Sequence, residues 1–99
     1  MKPKEKHITK SIRDFLKVMG IFHWKEHGGL GSAPGVPDLV GVYEGRLLAI
    51  EIKTDKGKLS PQQKYFLEKI AEAGGIAFVA RSVEDVIDNL GLKDRILIS

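Results

Sequence analysis

The sequence predicts an α/β domain: a central mixed sheet flanked by helices, in the order αβββαβα. Three observations carry that expectation. Near the start, Ile8, Ile12, Phe15, Leu16 and Met19 recur at helical spacing. Further on, two strand-like runs are joined by Glu44-Gly45, a two-residue hairpin signal. Beyond the hairpin come a capped helix, an uninterrupted apolar strand and a second capped helix. Helices between strands and at both ends make a covered sheet the economical arrangement.

Taken in order, the first helix spans about residues 7–19 and Gly20 closes it. Residues 21–25 read as a short strand. Residues 26–35 form a loop, since they contain Gly28, Gly29, Gly31, Ser32, Pro34 and Gly35. Residues 38–43 and 46–53 are the two hairpin strands, followed by a polar connection over 55–58. Ser60 and Pro61 start the next helix as N-cap and first helical residue, and Gly74 fits its C-terminal cap. Residues 76–80 are apolar throughout and are expected at the centre of the sheet. Ser82, with Asp85 three residues on, opens the last helix, which Gly91 ends. Residues 95–99 can be an edge strand, an interface segment or an unordered end. The expectation is one domain over 1–99, with its core at about 5–90 and a tail at 92–99.

Composition narrows the chemistry. At 42% hydrophobic and 29% charged residues, the chain has the make-up of an ordinary globular domain with a modest core. It has no cysteine, which excludes disulfides, thiolate catalysis and cysteine-ligated zinc. His7, His23 and His27 lack the spacing of a zinc motif, so any metal is expected on oxygen ligands. The net charge of +3 suits a polyanionic partner and equally suits a mildly basic protein without one. No apolar run approaches the length of a membrane span, and the basic start Met1-Lys2-Pro3-Lys4-Glu5-Lys6 is not followed by an apolar stretch. A cytoplasmic or nucleoid-associated protein is expected.

The charged residues of the hairpin are the most specific feature. Pairing Tyr43 with Arg46 carries the register back to Asp38 directly opposite Glu51. Directly opposed residues share a sheet face, with Cβ atoms roughly 5 Å apart. Like charges at that spacing repel unless a cation lies between them, and hard divalent cations such as Mg²⁺ take one or two carboxylates plus water and phosphate oxygens. Lys53, two residues after Glu51, points to the same face. An ion pair of Lys53 with Glu51 or Asp38 at the sheet rim is the simpler alternative. Two features favour the cation. Val40, Val42, Leu47 and Ala49 flank the charges on one face, with Leu39, Leu48, Ile50 and Ile52 on the other, so the carboxylates are expected to be buried. A glycine-rich loop also lies immediately before them, where a ligand could approach. Bound there, a cation could polarise a phosphoryl oxygen and activate water beside a lysine.

Pro37-Asp38 with Glu51-Ile52-Lys53 resembles the active-site signature of the PD-(D/E)xK nuclease superfamily. The longer strings Pro34-Gly35-Val36-Pro37-Asp38-Leu39, Glu51-Ile52-Lys53-Thr54 and Ser60-Pro61-Gln62-Gln63-Lys64 are similar to the virus-type replication-repair nuclease (VRR-NUC) domain, over roughly residues 5–90. The resemblance implies a restriction-endonuclease-like fold and a divalent-metal-dependent endodeoxyribonuclease using Mg²⁺ or Mn²⁺. Asp38 and Glu51 would ligate the metal, with the backbone carbonyl of Ile52 as a further ligand. Lys53 would position or activate the attacking water, and Gln63 would hold a substrate phosphate or a water. Glu5 is the match for a first-helix glutamate, and a solvated surface role for it stays open. A bare domain of this length resembles stand-alone, phage-type members, which act as homodimers on branched DNA such as Holliday junctions. Members fused to other domains serve in DNA crosslink repair. No membrane and no organic cofactor are implied.

Lys56, Lys58, Lys64 and Arg81 are expected around the charged end of the hairpin, as contacts to the DNA backbone. Trp24 can stack on an unpaired base or pack at a core or dimer surface. Two functions follow from these residues: a structure-specific DNA endonuclease, or a non-catalytic nucleic-acid-binding module that keeps the nuclease fold.

Overall fold

The computed structural model describes residues 3–27 and 34–97. The glycines at 28, 29 and 31 and the last two residues of the tail lie outside them. Along the chain run α1 (Pro3–Val18), β1 (His23–Lys25), β2 (Leu39–Tyr43), β3 (Arg46–Ile52), α2 (Pro61–Glu72), β4 (Ile76–Ala80), α3 (Val83–Leu90) and α4 (Lys93–Leu97). The four strands form one mixed sheet in the order β1-β2-β3-β4. The first two pairings are antiparallel and β3–β4 is parallel, with α2 as the crossover that a parallel pair requires.

The hairpin register is the expected one. Tyr43 pairs with Arg46 and Leu39 with Ile50. Glu44 and Gly45 at the turn both have positive φ, 51° and 77°. That is the backbone of a type I′ turn, whose twist matches the flanking strands, and the second position takes glycine without strain.

Alternation then assigns two faces. Leu39, Leu48, Ile50, Ile52, Phe78 and Ala80 point to one side and join Ile12 and Leu16 of α1 and Val86 and Leu90 of α3 in a single core. Here α1 is amphipathic as its spacing predicted. The opposite face carries Asp38, Ala49, Glu51 and Lys53, and α2 packs across its β3–β4 half. Over β1 and β2 that face is more open: Phe22, Trp24 and Val42 are exposed, with the two rings tilted at 5.7 Å.

One expectation is corrected. The strand 76–80 lies at the edge of the sheet and not at its centre. Its apolar run comes from helices α2 and α3, which both pack against it, so burial is supplied by layers and not by strands on both sides. Of the alternatives open for the tail, its described part is no edge strand: Lys93–Leu97 is a short helix, and Leu92 just before it is fully buried in the core. No described helix is long and apolar enough to cross a membrane.

Candidate metal centre

Asp38 immediately precedes β2, and Glu51 is the penultimate residue of β3. The register that pairs Leu39 with Ile50 brings these carboxylates face to face at the next step. The Ile52 N–H donates to Asp38 Oδ2 at 2.7 Å, which fixes the aspartate against the end of β3. In an extended strand the N–H and C=O of one residue point to the same edge. The Ile52 carbonyl therefore faces the Asp38 side as well, in keeping with its expected place near a cation.

Glu51 is 3% exposed, although the residues on either side of it belong to the dry core. Burial is the main force pushing its carboxyl up to about 8; the hydrogen bond with Asp38 and the Asp38 charge add to it. Lys53 opposes the shift, and the Glu5 charge adds the last push upward. Without a cation, then, Glu51 is biased toward its protonated form near neutral pH, because two adjacent carboxylates cannot both ionise cheaply out of water.

Two further side chains converge on Glu51. Lys53 Nζ lies 4.0 Å from Glu51 Oε2, and both side chains are largely shielded. Gln63 Nε2 donates to the same oxygen at 3.2 Å. The other end of the Gln63 amide accepts from the Ser60 N–H at 2.9 Å, while Ser60 Oγ accepts from the Gln63 N–H at 3.1 Å. This reciprocal capping box starts α2 and at the same time aims its third residue at the carboxylate. The spacing Ser-x-x-Gln carries that signal in the sequence. Glu5 lies in the first turn of α1, half-buried, and its carbonyl accepts from Thr9 Oγ1 at 2.8 Å.

Two glycines that composition marks only as loop residues hold the parts together. Gly35 has φ +87°, and a Cβ there would stand 2.5 Å from the Gln62 carbonyl carbon and oxygen and 2.9 Å from the Gln63 nitrogen. Only glycine lets the segment that leads into Asp38 lie directly on the first turn of α2. At Gly57, a Cβ would come within 3.3 Å of Lys53 Cδ, so this connection rests against the lysine stem. Arg81 Nη1 donates to the carbonyls of Thr54 and Gly57, the latter at 2.8 Å. That guanidinium is engaged in pinning the β3–α2 connection. Lys56, Lys58 and Lys64, in contrast, are exposed on the connection and on the start of α2.

The donors present suit a hard cation. Among the described residues no cluster of three His, Cys, Asp or Glu side chains forms a ready metal cage. The pair Asp38–Glu51 with one backbone carbonyl leaves most positions to water and substrate oxygens, the habit of Mg²⁺ and not of zinc. A divalent charge between Asp38 and Glu51 would relieve the burial that raises the Glu51 carboxyl.

Comparison with known proteins adds the family. The model of the VRR-NUC domain matches residues 3–84, a stretch that includes Glu5, Asp38, Glu51, Lys53 and Gln63. A solved structure described as a VRR-NUC domain superposes with a TM-score of 0.74 at 23% identity, covering 93% of this chain and 99% of that one. At that identity the likeness is one of fold. No curated protein matches the chain.

Proposed function

This chain belongs to the VRR-NUC family, and from that premise we propose that it is a divalent-metal-dependent endonuclease that cuts branched DNA at the Asp38–Glu51 centre. The family implies a nuclease-type fold, a divalent metal and DNA as substrate; the residues, the metal and the DNA structure are the proposal. The observation that supports it most is the convergence of Asp38, Lys53 and Gln63 on the one buried carboxylate of Glu51.

Asp38, Glu51 and the Ile52 carbonyl would hold Mg²⁺ or Mn²⁺, which when bound supplies Lewis acidity toward a phosphoryl oxygen and acidifies water. Glu51 gives up its proton as the cation enters. Gln63 keeps the Glu51 oxygen oriented through its amide, whose other end is locked in the helix cap. Lys53 holds the attacking water in line with the scissile phosphorus and stabilises the negative charge that develops there. Glu5, half-buried in the first turn of α1, would accept the proton that the attacking water gives up. Lys56, Lys58 and Lys64 offer charges to phosphates flanking the cut. A homodimer would present two such sites about a two-fold axis, matching a junction that has two strands to cut.

The test is nicking of an end-labelled four-way junction, compared with linear duplex, in Mg²⁺, in Mn²⁺ and in chelator. Metal-dependent cutting that prefers the junction is expected, and Lys53→Ala should abolish it while leaving junction affinity nearly unchanged. A wild-type protein that binds junctions and cuts nothing under any divalent metal would make the chain a binding module. Parallel loss of binding and cutting in Lys53→Ala would assign Lys53 to the DNA backbone.

A further inference from the structure

Helix α1 has a second face that the centre does not use. Its core side is built by Ile8, Ile12 and Leu16. Lys6, Lys10, Arg13 and Lys17 follow one another at spacings of four, three and four residues, and so form one stripe along the helix. Lys25, the last residue of β1, pairs with Leu39 and points to the α1 side of the sheet. Between the stripe and this strand lies a groove lined by Lys6, Lys10, Arg13, Lys17 and Lys25, with Asp14 as its carboxylate. Asp14 is bound to Lys10 at 2.8 Å. Its carboxyl is held below the ordinary range, first by that hydrogen bond and then by the charges of Lys10, Lys17 and Arg13. Arg13 is set in place by its contact with His23, Nε to Nε2 at 3.4 Å.

The groove is placed to continue the path of a substrate. Its Lys25 end lies at the same end of the sheet as the centre, on the other face: the Glu26 N–H, next after Lys25, donates to the Asp38 carbonyl at 2.8 Å, while Lys25 points to the α1 side and the carboxylates to the α2 side. From Lys6 to Lys17 the stripe runs about 16 Å at the helical rise. One DNA strand carries a charge every 3.4 Å or so along the duplex axis, so the stripe spans about five phosphates. A concave track of five cations against one neutralised carboxylate fits a polyanion with regularly repeated charge.

We propose that the groove between α1 and β1 is a sequence-independent binding track for the phosphate backbone of a DNA duplex arm leading away from the Asp38–Glu51 centre. The proposal rests on the nuclease reading for its ligand and goes beyond it in placing the arm on α1, away from Lys56, Lys58 and Lys64. The track sets affinity and reach; the hydrolytic step stays with the carboxylates and Lys53.

The test compares two triple variants of equal charge change. Lys6→Gln/Lys17→Gln/Lys25→Gln removes three of the five cations of the track without touching the Lys10–Asp14 pair or the Arg13–His23 contact. Lys69→Gln/Lys93→Gln/Arg95→Gln removes as much charge elsewhere. Binding to a labelled 24-base-pair duplex is measured in chelator across a sodium chloride series, and junction cutting is measured in Mg²⁺ or Mn²⁺. For the track variant we expect at least tenfold weaker duplex binding and a salt slope shallower by about 0.9 for each lost phosphate contact. Its cutting rate at saturating DNA should match wild type, so the deficit appears in KM. The control variant should lose far less affinity. Equal losses in the two variants, or an unchanged salt slope in the track variant, overturn the inference while wild-type cutting leaves the nuclease reading standing. If wild type neither binds nor cuts DNA, both fall.

Discussion

Strand β3 makes two different environments from consecutive residues. Leu48, Ile50 and Ile52 face α1 and α3 and are at most 1% exposed; Ala49, Glu51 and Lys53 face α2 and build the centre. The backbone between the two sets is the same ladder. What differs is the layer opposite: a dry apolar helix pair on one side, and on the other a helix start that delivers an amide and a loop that delivers a second carboxylate. A buried charge is tolerated on such a strand only where partners of this kind are fixed first. Burial here serves opposite ends. It hides methyl groups on one face, and on the other it makes a carboxylate hold a proton until a cation replaces it.

Substitutions can break that contrast in graded ways. The largest effect is expected from Glu51→Gln, which mimics the protonated acid permanently. Cutting should fall to background while the protein stays folded, as read by a junction-nicking assay beside a thermal melt. Ile50→Ala, one residue away, should do the reverse, costing about 2–5 kcal/mol of stability through the cavity it opens. Denaturant unfolding would measure it, and activity per folded molecule should survive. Gly35→Ala should damage both properties, since a Cβ there meets the α2 backbone at a positive φ. We expect a loss of about 1–3 kcal/mol together with a lower cutting rate. Gln63→Ala removes one arm of the capping box and should cost about 1 kcal/mol, with cutting reduced by about 10–100-fold through a less ordered Glu51.

The pH dependence of the metal-free protein sharpens the same contrast. The carboxyl of Glu51 titrates near 8 when folded and near the ordinary value of 4.5 when unfolded. Between those values the folded state binds the extra proton, so stability is fully present below about 4.5 and is lost as pH rises toward 8. Thermal melts in chelator should therefore fall across that window in wild type and stay flatter in Glu51→Gln. A saturating divalent cation should remove most of the fall.

Much of this was legible in the sequence, for definite reasons. A two-residue turn at Glu44-Gly45 and alternating side chains fix a register without any long-range information, which is why Asp38 could be placed opposite Glu51. Ser60-Pro61 announces a helix start by local chemistry alone. The edge position of β4 was hidden, because a continuous apolar run reports coverage of both faces and says nothing about neighbours in the sheet. The work of Gly35 and Gly57 was hidden too. A close approach between a loop and a helix start depends on the crossover that brings α2 back over β3. The structural partners of Arg81 were hidden for the same reason: the carbonyls of Thr54 and Gly57 are supplied by a connection more than twenty residues earlier.

The central claim is that a divalent cation between Asp38 and Glu51 takes the place of the proton that burial holds on Glu51. Calorimetric titration of Mg²⁺ or Mn²⁺ into wild type and Glu51→Gln, at pH 6 and at pH 8.5, measures it most directly. Wild type should bind more tightly at the higher pH and release a proton on binding at pH 6, while Glu51→Gln should show weak binding at both and no proton release. Equal binding by the two proteins, or wild-type affinity that does not change with pH, would contradict the account.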